Sequence, residues 1–189
     1  LVQEEAARDG DLVRMAGEGP PRAGAHIRRR GFNFATGDVV IPAGARLTAA
    51  RIGLAAMAGH GTLPVRPRVR VALLSTGDEL AAPGTELAPG QIYASNAPLL
   101  QALLADLPVE LVDHGLVPDR LDRLTEALSD AAGKADIIVT SGGASVGDHD
   151  LVRPALIAAG ATLDFWKIAM RPGKPLMAGR IGATVALGL

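Results

Sequence analysis

The sequence predicts a three-layer α/β/α domain with a mostly parallel sheet, preceded by a small mixed β/α region. From Val69 onward, short apolar runs alternate with longer segments of helical periodicity, the pattern of strands joined by crossover helices. Before that point the apolar runs are short, and proline and glycine turns separate them. We therefore divide the chain into residues 1–66 and 67–189, with Pro64 and Pro67 in the linker.

The composition narrows the class of protein. Of the 189 residues 48% are hydrophobic but only 3% are aromatic, so Ala, Val, Leu and Ile must build the core. A net charge of -1 gives no reason to expect nucleic acid or a membrane surface as a partner. The lack of cysteine excludes disulfides and thiolate metal sites and is consistent with a cytoplasmic protein. Because both ends lie in apolar patterns and the first residue is not methionine, we expect a part of a longer protein.

The first region has short elements and little core of its own. We expect strands at 12–15 and 38–41, and a helix from an N-cap at Thr48 through Ala58, ended by Gly59 or Gly61. A basic cluster at residues 28–30 is either a solvated face or part of a site. We expect this region to pack on another chain or on a further segment of its own chain.

The second region alternates strands and helices. We expect strands at 69–74, 109–112, 137–139 and 162–168, and a hairpin of 176–178 with 185–187 around Gly182. We expect helices at 98–107, from Asp119 to Gly133, and from about Asp150. The helix at 98–107 carries five leucines on a wide apolar face, namely Leu99, Leu100, Leu103, Leu104 and Leu107.

A strand, a glycine-rich loop and a helix, residues 135–150, organise the expected site. Paired glycines allow a ligand close to the backbone, and ligands of open α/β sheets bind at carboxyl ends of strands. Parallel strands would bring 76–79, 140–143 and Asp119 to one edge. Five carboxylates would then meet there, Asp78, Glu79, Asp119, Asp148 and Asp150, a set that favours Mg²⁺. The structural alternatives are a turn cap at Asp78 and helix N-caps at Asp119 and Asp150.

Basic residues, which could balance these carboxylates, lie at the end of the strand at 162–168 and after it. Lys167, Arg171 and Lys174 could contact phosphate or another oxyanion, and the alternative is a solvated basic turn. Ser141 and Ser145 are expected to donate hydrogen bonds to a ligand, because no nucleophile–base pair is evident.

Four linked motifs and two upstream segments resemble the molybdopterin molybdenumtransferase family, which includes MoeA and the gephyrin E domain. The motifs are residues 75–80 (STGDEL), 90–93 (GQIY), 141–150 (SGGASVGDHD) and 165–175 (FWKIAMRPGKP). The upstream segments are 28–31 and 42–48. The order and spacing match from Gly24 to Leu189.

The resemblance implies insertion of molybdate into adenylylated molybdopterin with Mg²⁺ and release of AMP, by an elongated homodimer of four-domain chains. By this match the catalytic positions are Glu79, Asp119, Asp150 and Lys167, and metal ligands come from Asp78, Glu79 and Asp150. The substrate positions are Thr76, Gly77, Ser141, Gly142, Gly143, Ser145, Arg171, Lys174 and Arg28. Asn33 stands where a carboxylate is expected, and Arg171 where lysine is expected. Because family segments before residue 1 and after residue 189 are missing, we expect the chain alone to be inactive.

Other functions fit parts of the sequence. A MogA/MoaB-like adenylyltransferase shares the Ser-Gly-Gly loop but consists of the α/β domain alone, and CinA-like nucleotide enzymes are more distant. A scaffold that keeps the fold for protein binding is the non-enzymatic alternative. The presence of Glu79, Asp119 and Asp150 favours catalysis.

Overall fold

The computed structural model describes residues 3–143, 151–171 and 176–189 and separates into two units, Leu1–Val65 and Arg66–Leu189. In unit 1, a short 3₁₀ turn at Gln3–Glu5 precedes two antiparallel strands, β1 (Ala6–Asp9) and β2 (Leu12–Met15). A helix, α1 (Ala49–Met57), follows later in the unit. In the described part of unit 1, Ala55 is the single buried apolar residue, so this unit has little core of its own.

Two local predictions for unit 1 are confirmed and one is wrong. The predicted strand β2 forms, and Thr48 caps α1 by accepting a hydrogen bond from Arg51 N at 3.4 Å. The strand predicted at 38–41 does not form. Instead, Asp38 closes a turn, because its carboxylate accepts from Ala35 N at 2.7 Å and its own amide donates to Ala35 O. Val39 is left 79% exposed, with no neighbouring strand to cover it.

Unit 2 is built on a six-stranded sheet. Its strands are β3 (Val69–Thr76), β6 (Val109–Val117), β7 (Ile137–Ser141), β8 (Ala161–Trp166), β9 (Met177–Ile181) and β10 (Thr184–Gly188). The spatial order is β6-β3-β7-β10-β9-β8, and only β9 runs against the others. The predicted hairpin around Gly182 is therefore the pair β9 and β10. A separate parallel pair joins β4 (Leu80–Ala81) to β5 (Ile92–Tyr93).

Helices cover both faces of the sheet, as the sequence predicts. They are α2 (Asn96–Leu104), α3 (Leu121–Lys134) and α4 (Val152–Ala158). Alternate residues of β3 serve the two layers: Val71 and Leu73 pack with α2, while Ala72 and Leu74 join the core that contains α3 and α4. Each fully buried leucine of such a core stabilises the fold by about 1.5–3 kcal/mol.

Some predicted boundaries and one predicted face are wrong. Strands β3 and β6 continue past the predicted ends, because parallel pairing aligns Thr76 with Val117. Helix α3 begins at Leu121 and runs through Gly133 to Lys134, rather than from Asp119 to Gly133.

The apolar face of α2 is only partly buried. Leu100 and Leu104 pack against the core, but Leu99 and Leu103 are 57% and 65% exposed. No helix in the described ranges is long and apolar enough to cross a membrane.

An ion pair joins the start of β3 to the residue before β7. Arg70 Nη2 donates to Asp136 Oδ1 at 2.9 Å, and the Arg70 amide donates to Asp136 Oδ2 at 2.8 Å. These hydrogen bonds and the guanidinium charge lower the pKa of Asp136 and raise that of Arg70. A lowered carboxyl pKa means that the folded state favours the ionised form.

We expect the Arg70–Asp136 pair to make stability depend on pH at the acid end. The contribution of the carboxylate is fully present above the unfolded-state value of about 3.9 and is lost as the pH falls through the lower folded-state pKa. Urea unfolding of Arg70→Met, Asp136→Asn, the double variant and the parent at pH 7 and pH 3 tests this. The coupling between the two sites should be positive at pH 7 and smaller at pH 3, and a pH-independent coupling would contradict it.

Candidate active site

Three strand ends meet at one edge of the unit 2 sheet. Parallel pairing sets Ser75 of β3 opposite Ser141 of β7, and Thr76 opposite Val117 of β6. The predicted convergence of these polar strand ends is therefore confirmed. Ser75, Thr76 and Ser141 are nearly fully buried although they are polar, and a buried hydroxyl needs a hydrogen-bond partner.

Thr76, Asp119 and Asp78 form a hydrogen-bonded group at this edge. The Thr76 hydroxyl donates to Asp119 Oδ1 at 3.4 Å, and the Asp119 amide donates to Asp78 Oδ1 at 3.2 Å. The N-cap alternative for Asp119 is wrong, because α3 starts two residues later with Arg120 at the cap position. The Asp119 side chain faces Thr76 at the end of β3, across 43 residues of sequence.

The Glu79 carboxylate lies close to the backbone of Gly77. At φ +145 Gly77 lies in a region that glycine adopts readily, and a Cβ there would lie 2.7 Å from Glu79 Oε2. Glu79 therefore lies against the backbone at the end of β3, and its side chain is exposed. Among the residues that the structure describes, no three Asp, Glu, His or Cys side chains gather closely enough to hold a metal ion.

The two glycines after β7 lie against neighbouring elements, Gly142 against the end of β3 and Gly143 against the start of α4. Gly142 has φ +98, and a Cβ on it would collide with the carbonyl oxygen of Thr76. Gly143 has φ +64, and a Cβ there would lie 2.5 Å from Val152 Cγ2. The Gly142 amide donates to Leu189 O at 3.3 Å, which ties the loop to the end of β10. The backbone therefore passes directly over Thr76.

On the α2 side of the edge, Asn96 is hydrogen-bonded to Ser141. Asn96 Nδ2 donates to Ser141 Oγ at 2.6 Å. A cavity of about 110 Å³ lies beside this contact, and its lining comprises Ser75, Leu80, Ile92, Tyr93, Ala94, Ser95, Asn96 and Ser141. The sequence analysis missed Asn96. Its one signal was the polar pair Ser95-Asn96 directly before an apolar helix, which reads as an N-cap.

Lys167 lies at the same edge but at a distance from the carboxylates. Because β8 runs parallel to β7 with two strands between them, the ends of β7 and β8 are about 14 Å apart. Lys167 has φ +115, its amide donates to Leu176 O at 3.0 Å, and its Nζ lies 4.1 Å from the ring centre of Trp166. The structure thus groups Thr76, Asp78 and Asp119 and sets Lys167 apart from them.

The remaining predicted site residues fall into three groups. Arg171 follows β8 and is exposed. Arg28 is exposed in unit 1. Ser145, Asp148, Asp150 and Lys174 lie outside the described residues. The roles of all these side chains stay predictions.

Comparison with known proteins follows the same division of the chain. Residues 72–188 match the model of a family described as a probable molybdopterin binding domain. Residues 1–59 match the model of the MoeA N-terminal region, domains I and II. The fold and its edge define a ligand-binding α/β domain. The chain belongs to the molybdopterin-binding domain family, in the MoeA arrangement with the N-terminal region ahead of that domain.

Individual relatives agree with this assignment. The chain is 40% identical to molybdopterin molybdenumtransferase 2 of Mycobacterium tuberculosis, over 94% of this chain and 45% of that protein. It is 40% identical to molybdopterin molybdenumtransferase of Haemophilus influenzae, over 96% of this chain and 44% of that protein. The crystal structure of a molybdopterin biosynthesis MoeA protein from Pyrococcus horikoshii matches with a TM-score of 0.77 and 28% identity, over 98% and 46% of the two chains. The chain thus spans a little less than half the length of these relatives.

Gly142→Ala should destabilise unit 2 more than a glycine substitution with open space around it. Gly160→Ala is the matched control, because Gly160 has φ +86 but no atom within 4 Å of its added Cβ. The control should cost about 1–2 kcal/mol for the left-handed backbone alone. Gly142→Ala should cost about 1–3 kcal/mol more, because of the collision with Thr76. Urea unfolding followed by Trp166 fluorescence measures both, and equal costs would contradict the close approach.

Proposed function

We propose that the full-length protein is a molybdopterin molybdenumtransferase in molybdenum cofactor biosynthesis. It would insert molybdate into adenylylated molybdopterin and release AMP. The observation that carries the proposal is the edge where Thr76, Asp78 and Asp119 meet beside the Gly142–Gly143 loop, within a chain of the molybdopterin-binding family. Small side chains and glycines at strand ends leave room for an anionic ligand against the backbone.

The described residues suggest how the edge would treat such a substrate. The Ser141 hydroxyl accepts from Asn96 and keeps its own hydrogen, which it can donate to a phosphate or molybdate oxygen. Glu79 and Asp119 can accept hydrogen bonds from a water molecule and orient it toward the phosphorus of the adenylyl group, so that the phosphoanhydride bond breaks and AMP leaves. Lys167 and Arg171, after β8, supply positive charge at the same edge.

Magnesium stays a prediction of the family resemblance. Asp78 and Asp119 are hydrogen-bonded neighbours, but the described residues do not complete a metal site. Asp150, which the resemblance adds to them, lies outside the described residues. When bound, Mg²⁺ would neutralise charge on phosphate oxygens.

The MoeA-type function is favoured over the adenylyltransferase alternative by one observation. An adenylyltransferase of the MogA/MoaB type would need only the α/β domain, whereas residues 1–59 match the MoeA N-terminal region. The homodimer and the cytoplasmic location stay predictions of the resemblance.

The defining measurement is AMP release by the full-length protein. Adenylylated molybdopterin should yield AMP when molybdate is added and little AMP without it. Chromatography of nucleotides from matched reactions with and without molybdate measures this. Release that is independent of molybdate, or AMP-transfer activity with ATP instead, would reject the proposal.

Asp119→Asn should separate chemistry from stability. An asparagine keeps an oxygen that accepts from Thr76, so the free energy of unfolding should change by less than about 0.5 kcal/mol. The lost charge should lower molybdate-dependent AMP release at least tenfold, about 1.4 kcal/mol of barrier.

Asp122→Asn is the matched control for Asp119→Asn. It removes one negative charge in the first turn of α3, where Asp122 pairs with Arg120 at 2.8 Å. Its AMP release should equal that of the parent. Equal turnover of the Asp119 variant and the parent would leave Asp119 with a structural role only.

A further inference from the structure

Two cations contact one tryptophan ring at the far end of the sheet edge. Arg153 Cζ lies 4.3 Å and Lys167 Nζ lies 4.1 Å from the ring centre of Trp166. The two charged groups are therefore no more than about 8.4 Å apart. An aromatic face attracts a cation. The ring thus keeps both positive charges within this distance of one another.

No carboxylate among the described residues neutralises this pair of cations. The ion pairs formed within residues 3–143, 151–171 and 176–189 involve neither Arg153 nor Lys167. Helix stability does not explain Arg153 either. It is the second residue of α4, and the first turn of a helix favours acidic side chains over basic ones.

The backbone of Lys167 is held in a conformation that costs free energy. A φ of +115 is rare for a residue with a Cβ, and such positions persist only where the surrounding structure holds them. The Lys167 amide donates to Leu176 O beside the Trp166–Met177 pair of β8 and β9, and its Nζ lies over the Trp166 ring. Because β8 is parallel to β3 and β7, this cluster lies at the same edge as the polar strand ends.

We propose that Arg153 and Lys167 together bind one tetrahedral oxyanion of the substrate, with Trp166 setting the position of both cations. This inference rests on the proposed function and adds Arg153 to the residues of that site. The anion is a phosphate of the adenylylated substrate or molybdate itself, since both present tetrahedral oxygens to the cations. A guanidinium donates two parallel hydrogen bonds to such a group, and an ammonium adds a compact charge.

A purely structural role for Arg153 gives a different expectation. If its side chain only covers the indole, its removal should change stability and leave anion affinity unaltered. An anion-binding role requires affinity to depend on the positive charge. Lysine at this position should then restore binding in part. It keeps the positive charge but lacks the two parallel N–H donors of the guanidinium group.

The test titrates the full-length protein with sodium molybdate, inorganic phosphate and AMP in separate calorimetric experiments. Arg153→Gln should weaken binding of at least one probe tenfold or more, and Arg153→Lys should recover part of it. Arg180→Gln is the matched control, because Arg180 is another exposed arginine of the same sheet, on β9. Its affinities should equal those of the parent. Loss with molybdate alone identifies a molybdate site, and loss with phosphate or AMP identifies a phosphate site.

Three results would overturn this inference. They are unchanged affinities in Arg153→Gln, an equal loss in Arg180→Gln, and no binding of any probe to the parent. If the parent still releases AMP in a molybdate-dependent way, the proposed function stands and only the role of Arg153 fails. If the parent releases no AMP, yet anion binding depends on Arg153, the anion site stands and the proposed function fails.

Discussion

Parallel pairing of β3 with both β6 and β7 is the constraint on which the candidate site depends. Hydrogen bonding in register aligns Thr76 with Val117 and Ser75 with Ser141, so three strands end together. A one-residue slip in β7 would move Ser141 to the opposite face of the sheet and place Thr140 or Gly142 opposite Ser75. The two-sided core prevents this slip, because β3 buries alternate residues against α2 on one side and α3 on the other. Packing far from the edge therefore sets the positions of the site residues.

The close spacing of the strand ends explains why the loop after β7 begins with glycine. No side chain fits at Gly142, because the carbonyl of Thr76 occupies the space that a Cβ would need. The same carbonyl belongs to the residue whose hydroxyl donates to Asp119. Thr76 therefore lies between the two parts of the edge, with its carbonyl against Gly142 and its hydroxyl on Asp119.

Features governed by local chemistry could be predicted from the sequence. Thr48 is three residues from the amide that it caps, and the hairpin around Gly182 needs only neighbouring residues. Features that depend on distant partners could not. The apolar run at 38–41 resembles a strand, but no strand lies beside it, and Asp38 bonds to its own turn instead.

The candidate site shows the same limit at longer range. The fold class and the meeting of strand ends followed from alternation of strands and helices, which is a property of the whole pattern. The hydrogen-bond partners of individual side chains could not be predicted from that pattern. Asn96 donates to Ser141 across 45 residues of sequence, and Asp119 accepts from Thr76 across 43. A helix-capping pattern explained Asn96 and Asp119 equally well in the sequence. The register of the sheet decides between the two roles, because it determines which side chains lie near Asn96 and Asp119.

The width of the edge limits what can bind there. Five strand spacings separate β6 from β8, which is about 24 Å. The carboxylates after β3 and β6 lie near one end, and the cations on Trp166 lie at the other. A small anion can contact only one of these ends. An elongated substrate with an anionic group, or two substrates that meet along the edge, can use both. This separation of charge fits two ligands that meet along the edge better than one compact ligand.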